Sequence, residues 1–200
     1  MQFMIIPVLI TSLIALLRGG RVQNLAHLHL KNSWIPLTMA TLQFFIVLFP
    51  QWRGELFLRL RPWVTVSTYA LLVAFLVVNR ELSGMKLILV GAVLNLVVIA
   101  SNGGYMPVTL EAIEQSGHLD KIIIEGEHAY VLGSKDIVLS EEQSHFTMLS
   151  DVLKMPDVIP TPATFSIGDV FIMVGAAWLL YRVLKDDPFE WHEPGLMAID

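Results

Sequence analysis

Ser166 and Asp169 are the residues in this sequence best placed to do polar chemistry beside an apolar segment. They lie in Phe165-Ser166-Ile167-Gly168-Asp169-Val170, directly before an apolar stretch that ends at Tyr181. A serine followed by an acidic residue three positions later resembles a capping box, which supplies hydrogen bonds to the free amides at a helix start. A carboxylate there also interacts favourably with the helix dipole. The alternative is that Asp169 binds a cation or a proton at the edge of a membrane, and we favour the capping role.

A second candidate is the turn-forming motif Asn102-Gly103-Gly104-Tyr105-Met106-Pro107-Val108, at the end of another apolar stretch. Gly103 and Gly104 permit a positive φ, and Pro107 cannot continue a helix through its own amide. The motif could be a re-entrant or anion-binding turn whose freed backbone groups line a site. It could also end a helix at the membrane surface. We favour this second interpretation, because glycine followed by proline is the ordinary signal for helix termination.

A third candidate is the proline-rich segment 155–162, which contains Asp157 and Pro160. Its three prolines in seven positions exclude a continuous helix and favour a rigid extended strap. We expect residues 102–108 and 157–169 to pack against each other, since both adjoin helix ends whose backbone groups need hydrogen-bond partners.

The sequence predicts no catalytic, cofactor-binding or metal-binding residues. There is no cysteine, which excludes disulfides, thiolate catalysis and iron–sulfur ligation through this chain. His27 and His29 are spaced by two and would share a face only in an extended segment, and a metal site would need at least a third ligand. No phosphate loop, serine nucleophile elbow or pair of hydrolytic carboxylates is recognisable. The net charge of −5 gives no basic surface, so nucleic acid is not an expected partner.

The elements that must position these residues are apolar. The chain is 54% hydrophobic and only 16% charged, with a mean hydropathy of +0.63, whereas a soluble domain carries roughly 25% charged residues. Asp, Glu, Lys and Arg are absent from residues 1–17, 32–52, 62–79 and 87–110. This composition predicts an all-α integral membrane protein with about five short transmembrane helices and a small extracytoplasmic cap. We expect the helices at residues 2–17, 34–49, 62–78, 87–101 and 170–184, with Gln43 and Asn95 forming hydrogen bonds between them.

These helices divide the chain into a four-helix transmembrane region at 1–101, an extracytoplasmic loop or cap at 102–168, a fifth transmembrane helix at 169–184 and a cytoplasmic tail at 185–200. Orientation follows from Lys and Arg, which are enriched in short cytoplasmic loops. An outside N-terminus leaves Arg53, Arg59 and Arg61 outside and places seven basic residues inside, namely Arg18, Arg21, Lys31, Arg80, Lys86, Arg182 and Lys185. We therefore expect a multi-pass protein of the cell (inner, cytoplasmic) membrane with its N-terminus outside and its C-terminus in the cytoplasm.

The loop of 67 residues is long enough to require structure of its own. We predict a short helix at Val108–Gln115, a small β-hairpin formed by Ile122–Glu125 and Ala129–Leu132 around Gly126, and an amphipathic helix at Ser140–Leu153.

The order of these motifs resembles a family of bacterial polytopic membrane proteins catalogued as domain of unknown function 5317. The similarity covers roughly residues 1–184 and rests on Arg18-Gly19-Gly20-Arg21 with Leu25, Ala26 and Leu28, on Asn102–Val108, on Asp157-Val158-Ile159-Pro160, and on Phe165–Val170. The chain departs from the family at Pro156, where a glycine is expected, and in an extra acidic stretch near Glu141–Leu153. The resemblance implies an architecture, and the family has no established activity to transfer.

Three functions remain open. We favour a non-enzymatic accessory, assembly or structural subunit of a membrane complex, because short helices are better protected from hydrophobic mismatch inside a complex. The second is a small oligomeric transporter or permease component. The third is a membrane-embedded enzyme acting on a lipid or isoprenoid, in which Asp157 and Asp169 would converge with Asn102 on one cavity. The expected partners are the lipid bilayer and either another membrane protein or a second copy of the chain.

Overall fold

The computed structural model describes residues 2–48, 55–117, 119–125, 128–131, 135–140, 142–154 and 164–185. Its α-helices are α1 (Gln2–Leu17), α2 (Trp34–Leu48), α3 (Glu55–Val78), α4 (Met85–Ser101), α5 (Leu110–Gln115) and α6 (Ile167–Lys185). Its strands are β1 (Met106–Val108), β2 (Ile122–Glu125), β3 (His128–Val131), β4 (Asp136–Val138), β5 (Leu153–Lys154) and β6 (Thr164–Phe165). Short 3₁₀ turns lie at Val22–His27, Leu119–Lys121 and Thr147–Leu149.

The prediction of an all-α protein with about five transmembrane helices is wrong. Helices do occupy the five apolar stretches. Among the described residues, however, only two helical segments are both long and apolar enough to cross a membrane, Leu60–Val78 in α3 and Ile167–Lys185 in α6. Length is the physical reason, because the 17 residues of α4 span about 25 Å and the hydrocarbon core is about 30 Å thick. The class is also wrong, since residues 106–165 contain strands of two β-sheets. Absence of charge predicts an apolar helix but not its length.

Helix α6 is the centre of the helical bundle, because it packs against both α1 and α4. Helix α4 runs antiparallel to α6, and glycines lie where the two approach most closely. A methyl group added to Gly91 would overlap the backbone oxygen of Gly168, and one added to Gly175 would lie 2.7 Å from the backbone oxygen of Gly84. These glycines therefore let the two helix backbones come together, as small residues do in membrane helix pairs.

At one end of the bundle, the chain that follows α1 closes over the ends of α3 and α6. Arg21 N donates to Leu184 O at 2.8 Å, and Asn24 Nδ2 donates to the same oxygen at 3.1 Å. Asn79, just after α3, accepts from Lys31 N at 2.8 Å and donates to Lys31 O at 3.0 Å. The bonds from Arg21 and Asn24 satisfy Leu184 O, a carbonyl group that the end of α6 leaves free. Together with the bonds of Asn79, they tie the segment after α1 to both helices.

The opposite end of the bundle carries the cap, which is built on a four-stranded sheet of order β1-β4-β3-β2. Strand β1 follows α4 and pairs in parallel with β4, with Met106 opposite Asp136. Strand β3 pairs antiparallel with both β4 and β2, and β2 and β3 form a hairpin in the segment where one is predicted, with His128 opening the second strand. The cap has its own hydrophobic cluster, formed by Val108, Ala112, Ile113 and Val131.

One of the two helices predicted in the cap is present. The short helix expected at Val108–Gln115 is confirmed as α5, which begins after Thr109, whose Oγ1 accepts a hydrogen bond from Ala112 N at 3.1 Å. The amphipathic helix expected at Ser140–Leu153 is wrong. Phe146 has a φ of 59°, which a right-handed helix excludes. Ser150 Oγ donates to Phe146 O at 3.3 Å, and such side-chain bonds compete with helical ones.

Candidate functional site

Ser166 and Asp169 cap the first turn of α6. Ser166 N donates to Asp169 Oδ2 at 3.2 Å, and Asp169 N donates to Ser166 Oγ at 3.0 Å. This reciprocal pair is the geometry of a capping box, in which each side chain satisfies the other residue's backbone amide. The carboxylate therefore lies at the positive end of the helix dipole.

Asn95 of α4 joins this pair and extends it between two helices. Its side chain is fully buried. Asn95 Nδ2 donates to Asp169 Oδ1 at 2.8 Å, and Asn95 Oδ1 accepts from Ser166 Oγ at 2.9 Å. Gly168 makes the contact possible, because a Cβ atom there would overlap the Asn95 side chain. The prediction that Asn95 forms a hydrogen bond between helices is confirmed, whereas the side chain of Gln43 lies outside the described residues. We call these three residues the Asn95 network.

Asn102 ends α4 and holds a second segment against it. Its Nδ2 donates to Val98 O at 2.7 Å and to His145 O at 2.9 Å, and its Oδ1 accepts from His145 N at 2.8 Å. Gly103 and Gly104 follow with φ values of 66° and 88°. A Cβ atom at Gly104 would lie within 2.7 Å of Pro62 on α3, so this position excludes larger residues for steric as well as conformational reasons.

Met106 and Pro107 are buried in β1, and their backbones hold a cluster of charged side chains inside the cap. Met106 N donates to Lys135 O at 3.1 Å, and Asp151 N donates to Pro107 O at 3.2 Å. Lys135 Nζ lies 3.0 Å from Asp151 Oδ2 and 3.3 Å from Asp136 Oδ1. The three side chains, which we call the Lys135 cluster, are 26% (Lys135), 13% (Asp136) and 5% (Asp151) exposed.

Burial changes the protonation behaviour of this cluster. It raises the pKa of Asp151 to about 7, against the opposing effect of the Lys135 ammonium. Burial lowers the pKa of Lys135, but the carboxylates of Asp151 and Asp136 together outweigh it and raise that pKa well above its usual value. Asp169 adds to the shift at Asp151, so the Asn95 network and the Lys135 cluster are electrostatic neighbours. Within the described part of the chain, Asp151 Oδ1 is buried without a hydrogen-bond partner. Such a carboxyl group can exchange a proton near neutral pH.

A cation–π contact joins the cap to the bundle. The guanidinium carbon of Arg61 lies 5.7 Å from the ring centroid of Tyr105 and 5.9 Å from that of Tyr130. The two rings are themselves 5.3 Å apart. Because Arg61 belongs to α3 and Tyr130 to β3, this contact holds the sheet over the end of the bundle, at about 0.5–1 kcal/mol per cation–π pair.

The structure brings together some of the predicted residues and leaves others apart. Ser166, Gly168 and Asp169 meet at α4, and Asn102 is engaged separately with the loop that contains His145. Asp157 and Pro160 lie outside the described residues. The packing of residues 157–163 against the turn after α4, and a cavity shared by Asp157 and Asp169, therefore stay predictions.

Lys135 and Asp151 are the residues that sequence reasoning missed. They are 16 positions apart in a loop, and no motif or periodicity links them. The available signal was compositional, since loop 102–168 has three lysines for ten carboxylates. Elsewhere, His29 Nδ1 lies 2.8 Å from His27 O. In the ranges that the structure covers, no group of three or more His, Asp or Glu side chains is arranged to hold a metal ion.

Comparison with known proteins identifies the family of this sequence. A family of unknown function, DUF5317, matches residues 27–181. An uncharacterized protein of Thermotoga maritima is 28% identical over 184 residues, which cover 91% of this chain and 92% of that protein. No solved structure matches the chain. Because the matched region is well over half of its length, the chain belongs to the DUF5317 family.

Proposed function

We propose that this protein is an integral membrane protein that serves as a non-enzymatic accessory or assembly subunit of a membrane complex. The observation that carries the membrane assignment is the reversed distribution of polarity in the helices. Large apolar side chains point outward on α1, α3, α4 and α6, whereas Thr65, Thr68 and Asn95 are buried between helices. In water the opposite distribution is favoured.

Helix length and packing support this assignment. The windows Leu60–Val78 and Ile167–Lys185 are long and apolar enough to cross a bilayer, and only 22% of each is buried inside the protein. A core helix of a soluble protein would be mostly buried. The close approach of α4 to α6 through glycines is also typical of helices that pack within lipid.

The ends of the bundle suggest its orientation. The basic residues that favour a cytoplasmic location lie together at the end away from the cap, where Arg21 meets Leu184 and Lys185 Nζ donates to Arg18 O at 2.8 Å. Because positively charged ends remain in the cytoplasm, the cap would face the extracytoplasmic side.

The accessory role is supported by how the polar groups are used. The Asn95 network is closed by hydrogen bonds among its own members, and Lys135 pairs with two carboxylates of its cluster. A crevice beside Pro107, Ser144 and Thr147 leaves no room for a water-sized molecule, whereas small-molecule sites measure roughly 300–1,000 Å³. The cap instead presents a folded surface on which a protein partner could dock.

Single cysteines in this cysteine-free chain test the membrane arrangement. Glu114→Cys on the cap should react with a membrane-impermeant maleimide in intact cells, and Arg80→Cys should react only after permeabilisation. Labelling of both in intact cells, or the reverse pattern, would contradict the proposed orientation. Recovery of both in the soluble fraction would contradict the membrane assignment.

The accessory role is tested by photocrosslinking from Leu119, an exposed apolar residue of the cap. We expect a discrete adduct with another protein that persists through extraction in a mild detergent. Adducts only with a second copy of the chain, or none, would contradict an accessory role.

A transporter component is the second candidate, and the observation that favours it is the buried Lys135 cluster, in which burial raises the pKa of Asp151 to about 7. A carboxyl group with a pKa in this range can take up and release protons at physiological pH, as proton-coupled transport does. Proteoliposomes that show a flux coupled to a proton gradient, lost in Asp151→Asn, would support this alternative over the first.

A further inference from the structure

Phe146 and Met148 are large apolar residues on the surface of the cap, with 55% and 82% of their surfaces exposed. They lie in the loop from Ser144 to Leu149, which we call the 144–149 loop. We propose that this loop is an interfacial anchor whose Phe146 and Met148 side chains enter the boundary between head groups and acyl chains on the cap side of the bilayer. This inference rests on the membrane location proposed above.

The depth of the 144–149 loop is set by hydrogen bonds to the end of a helix. Asn102, where α4 ends, holds both the N–H and the C=O of His145 at 2.8 and 2.9 Å. Leu149 packs against the cluster of Val98, Ile99 and Met106, and its turn, Thr147–Leu149, contacts α4. The loop is thus fixed on both sides of Phe146 and Met148. It lies at the level where α4 leaves its apolar surroundings, which is the level of the membrane interface.

The backbone at Phe146 indicates that its side chain serves a purpose other than folding. Phe146 has φ 59° and ψ 43°, a left-handed conformation that glycine or asparagine adopts more cheaply than an aromatic residue. A phenylalanine there is neither buried in a core nor conformationally favoured. Aromatic side chains are, however, preferred at membrane interfaces.

Lipid is a better occupant of this surface than a protein. Two side chains of this size offer on the order of 200–400 Å², whereas a stable protein–protein interface buries about 600 Å² or more on each partner. Lipid contact has no such minimum, because the neighbouring helices α4 and α6, which the Thr147–Leu149 turn touches, would already lie in the bilayer. Phe146 and Met148 would extend the lipid-facing apolar surface of these two helices.

Three single-cysteine variants of the full chain, each labelled with an environment-sensitive fluorophore and reconstituted in vesicles of phosphatidylcholine and phosphatidylglycerol, test the inference. Met148→Cys reports on the loop, Val174→Cys on the exposed face of α6, and Glu114→Cys on the water-facing cap. The measurement is quenching by lipids that carry a nitroxide near the head group, compared with quenching by aqueous iodide.

We expect the labels at Met148 and Val174 to be quenched by the lipid nitroxide at least threefold more than the label at Glu114. Iodide should quench the label at Glu114 more than the other two. If Val174 is quenched by lipid and Met148 is no more quenched than Glu114, the anchor is refuted and the membrane assignment stands. If the label at Met148 is shielded from iodide but not quenched by lipid, protein covers the loop and the anchor is likewise refuted. If Val174 is not quenched, the membrane assignment fails, and the anchor fails with it.

Discussion

Replacing Asn95 with alanine removes the bridge between α4 and α6. The change deletes the donor to Asp169 Oδ1 and the acceptor of the Ser166 hydroxyl, at 2.8 and 2.9 Å in the parent. Alanine avoids the steric overlap that a larger apolar residue would cause beside Gly168. It also favours the helix more than asparagine does, so any loss of stability comes from the network.

The expected loss is about 2–4 kcal/mol. A hydrogen bond to a carboxylate contributes about 1.5–3 kcal/mol and a neutral one about 0.5–1.5 kcal/mol. Bonds between membrane helices average only about 0.6 kcal/mol, which would give just over 1 kcal/mol for both. We expect the larger value because Asn95 and Ser166 are fully buried, so water cannot replace the lost partner.

Thermal unfolding in a mild detergent measures the effect. For a chain of this size, about 1 kcal/mol shifts Tm by roughly 2–4 °C, so Asn95→Ala should lower Tm by roughly 5–15 °C. Val97→Ala is the matched control, since Val97 lies two residues along α4 and is exposed, and we expect its Tm within about 2 °C of the parent. Equal shifts for the two variants would refute the structural importance of the network.

Three further predictions follow from neighbouring residues. Asp169→Asn should lower the free energy of unfolding by about 1–2 kcal/mol in the same assay. Both groups that bond the carboxylate are donors, and the amide of asparagine offers them only one oxygen. A loss as large as that of Asn95→Ala would contradict this prediction. Gly91→Ala should lower the free energy of unfolding by about 1–3 kcal/mol, because the added methyl group forces α4 away from α6. Gly103→Ala should lower it by only about 1 kcal/mol, because a Cβ atom there has no neighbour within 4 Å and the cost comes from the positive φ alone. Asp151 should make stability fall as pH rises from about 4 to about 7, because its raised pKa lets the folded state keep a proton that the unfolded chain releases. Tm of Asp151→Asn relative to the parent should therefore increase between pH 5 and pH 7, and a constant difference would show that Asp151 does not titrate in this range.

Local patterns in the sequence were enough to predict the helices of the bundle and one part of the site. Uninterrupted apolar stretches place α1, α3, α4 and α6 to within a few residues, except that α3 begins at Glu55, before its charge-free stretch. The spacing of Ser166 and Asp169 favours the cap that these residues form. A lone asparagine in an apolar helix favours a bond to a neighbouring helix, and Asn95 forms one. Each of these features depends on contacts along one helix or on a single polar group with few possible partners.

Contacts between distant parts of the loop could not be predicted in this way. The parallel pairing of β1 with β4 joins Met106 to Asp136 across 30 positions, and no local pattern encodes it. The ion pair of Lys135 with Asp151 depends on that pairing, because β1 binds the backbones of both. The predicted number of membrane-crossing helices was wrong for a different reason. Hydropathy reports the polarity of a segment and not the length of regular helix that tertiary contacts allow.

The helix packing and the Asn95 network depend on each other. Gly84, Gly91 and Asn95 are spaced by seven and four residues, so they lie on one face of α4. The glycines on this face let α6 approach closely, and that approach brings Ser166 and Asp169 within hydrogen-bond distance of Asn95. In return, the network fixes the register of the two helices, since van der Waals contact between smooth glycine surfaces tolerates sliding and directional hydrogen bonds do not. Because Asp169 lies in the first turn of α6 and Asn102 ends α4, this register also sets the height at which the cap meets the bundle. A polar group buried between two apolar helices is therefore explained by positioning, with no catalytic role required of it.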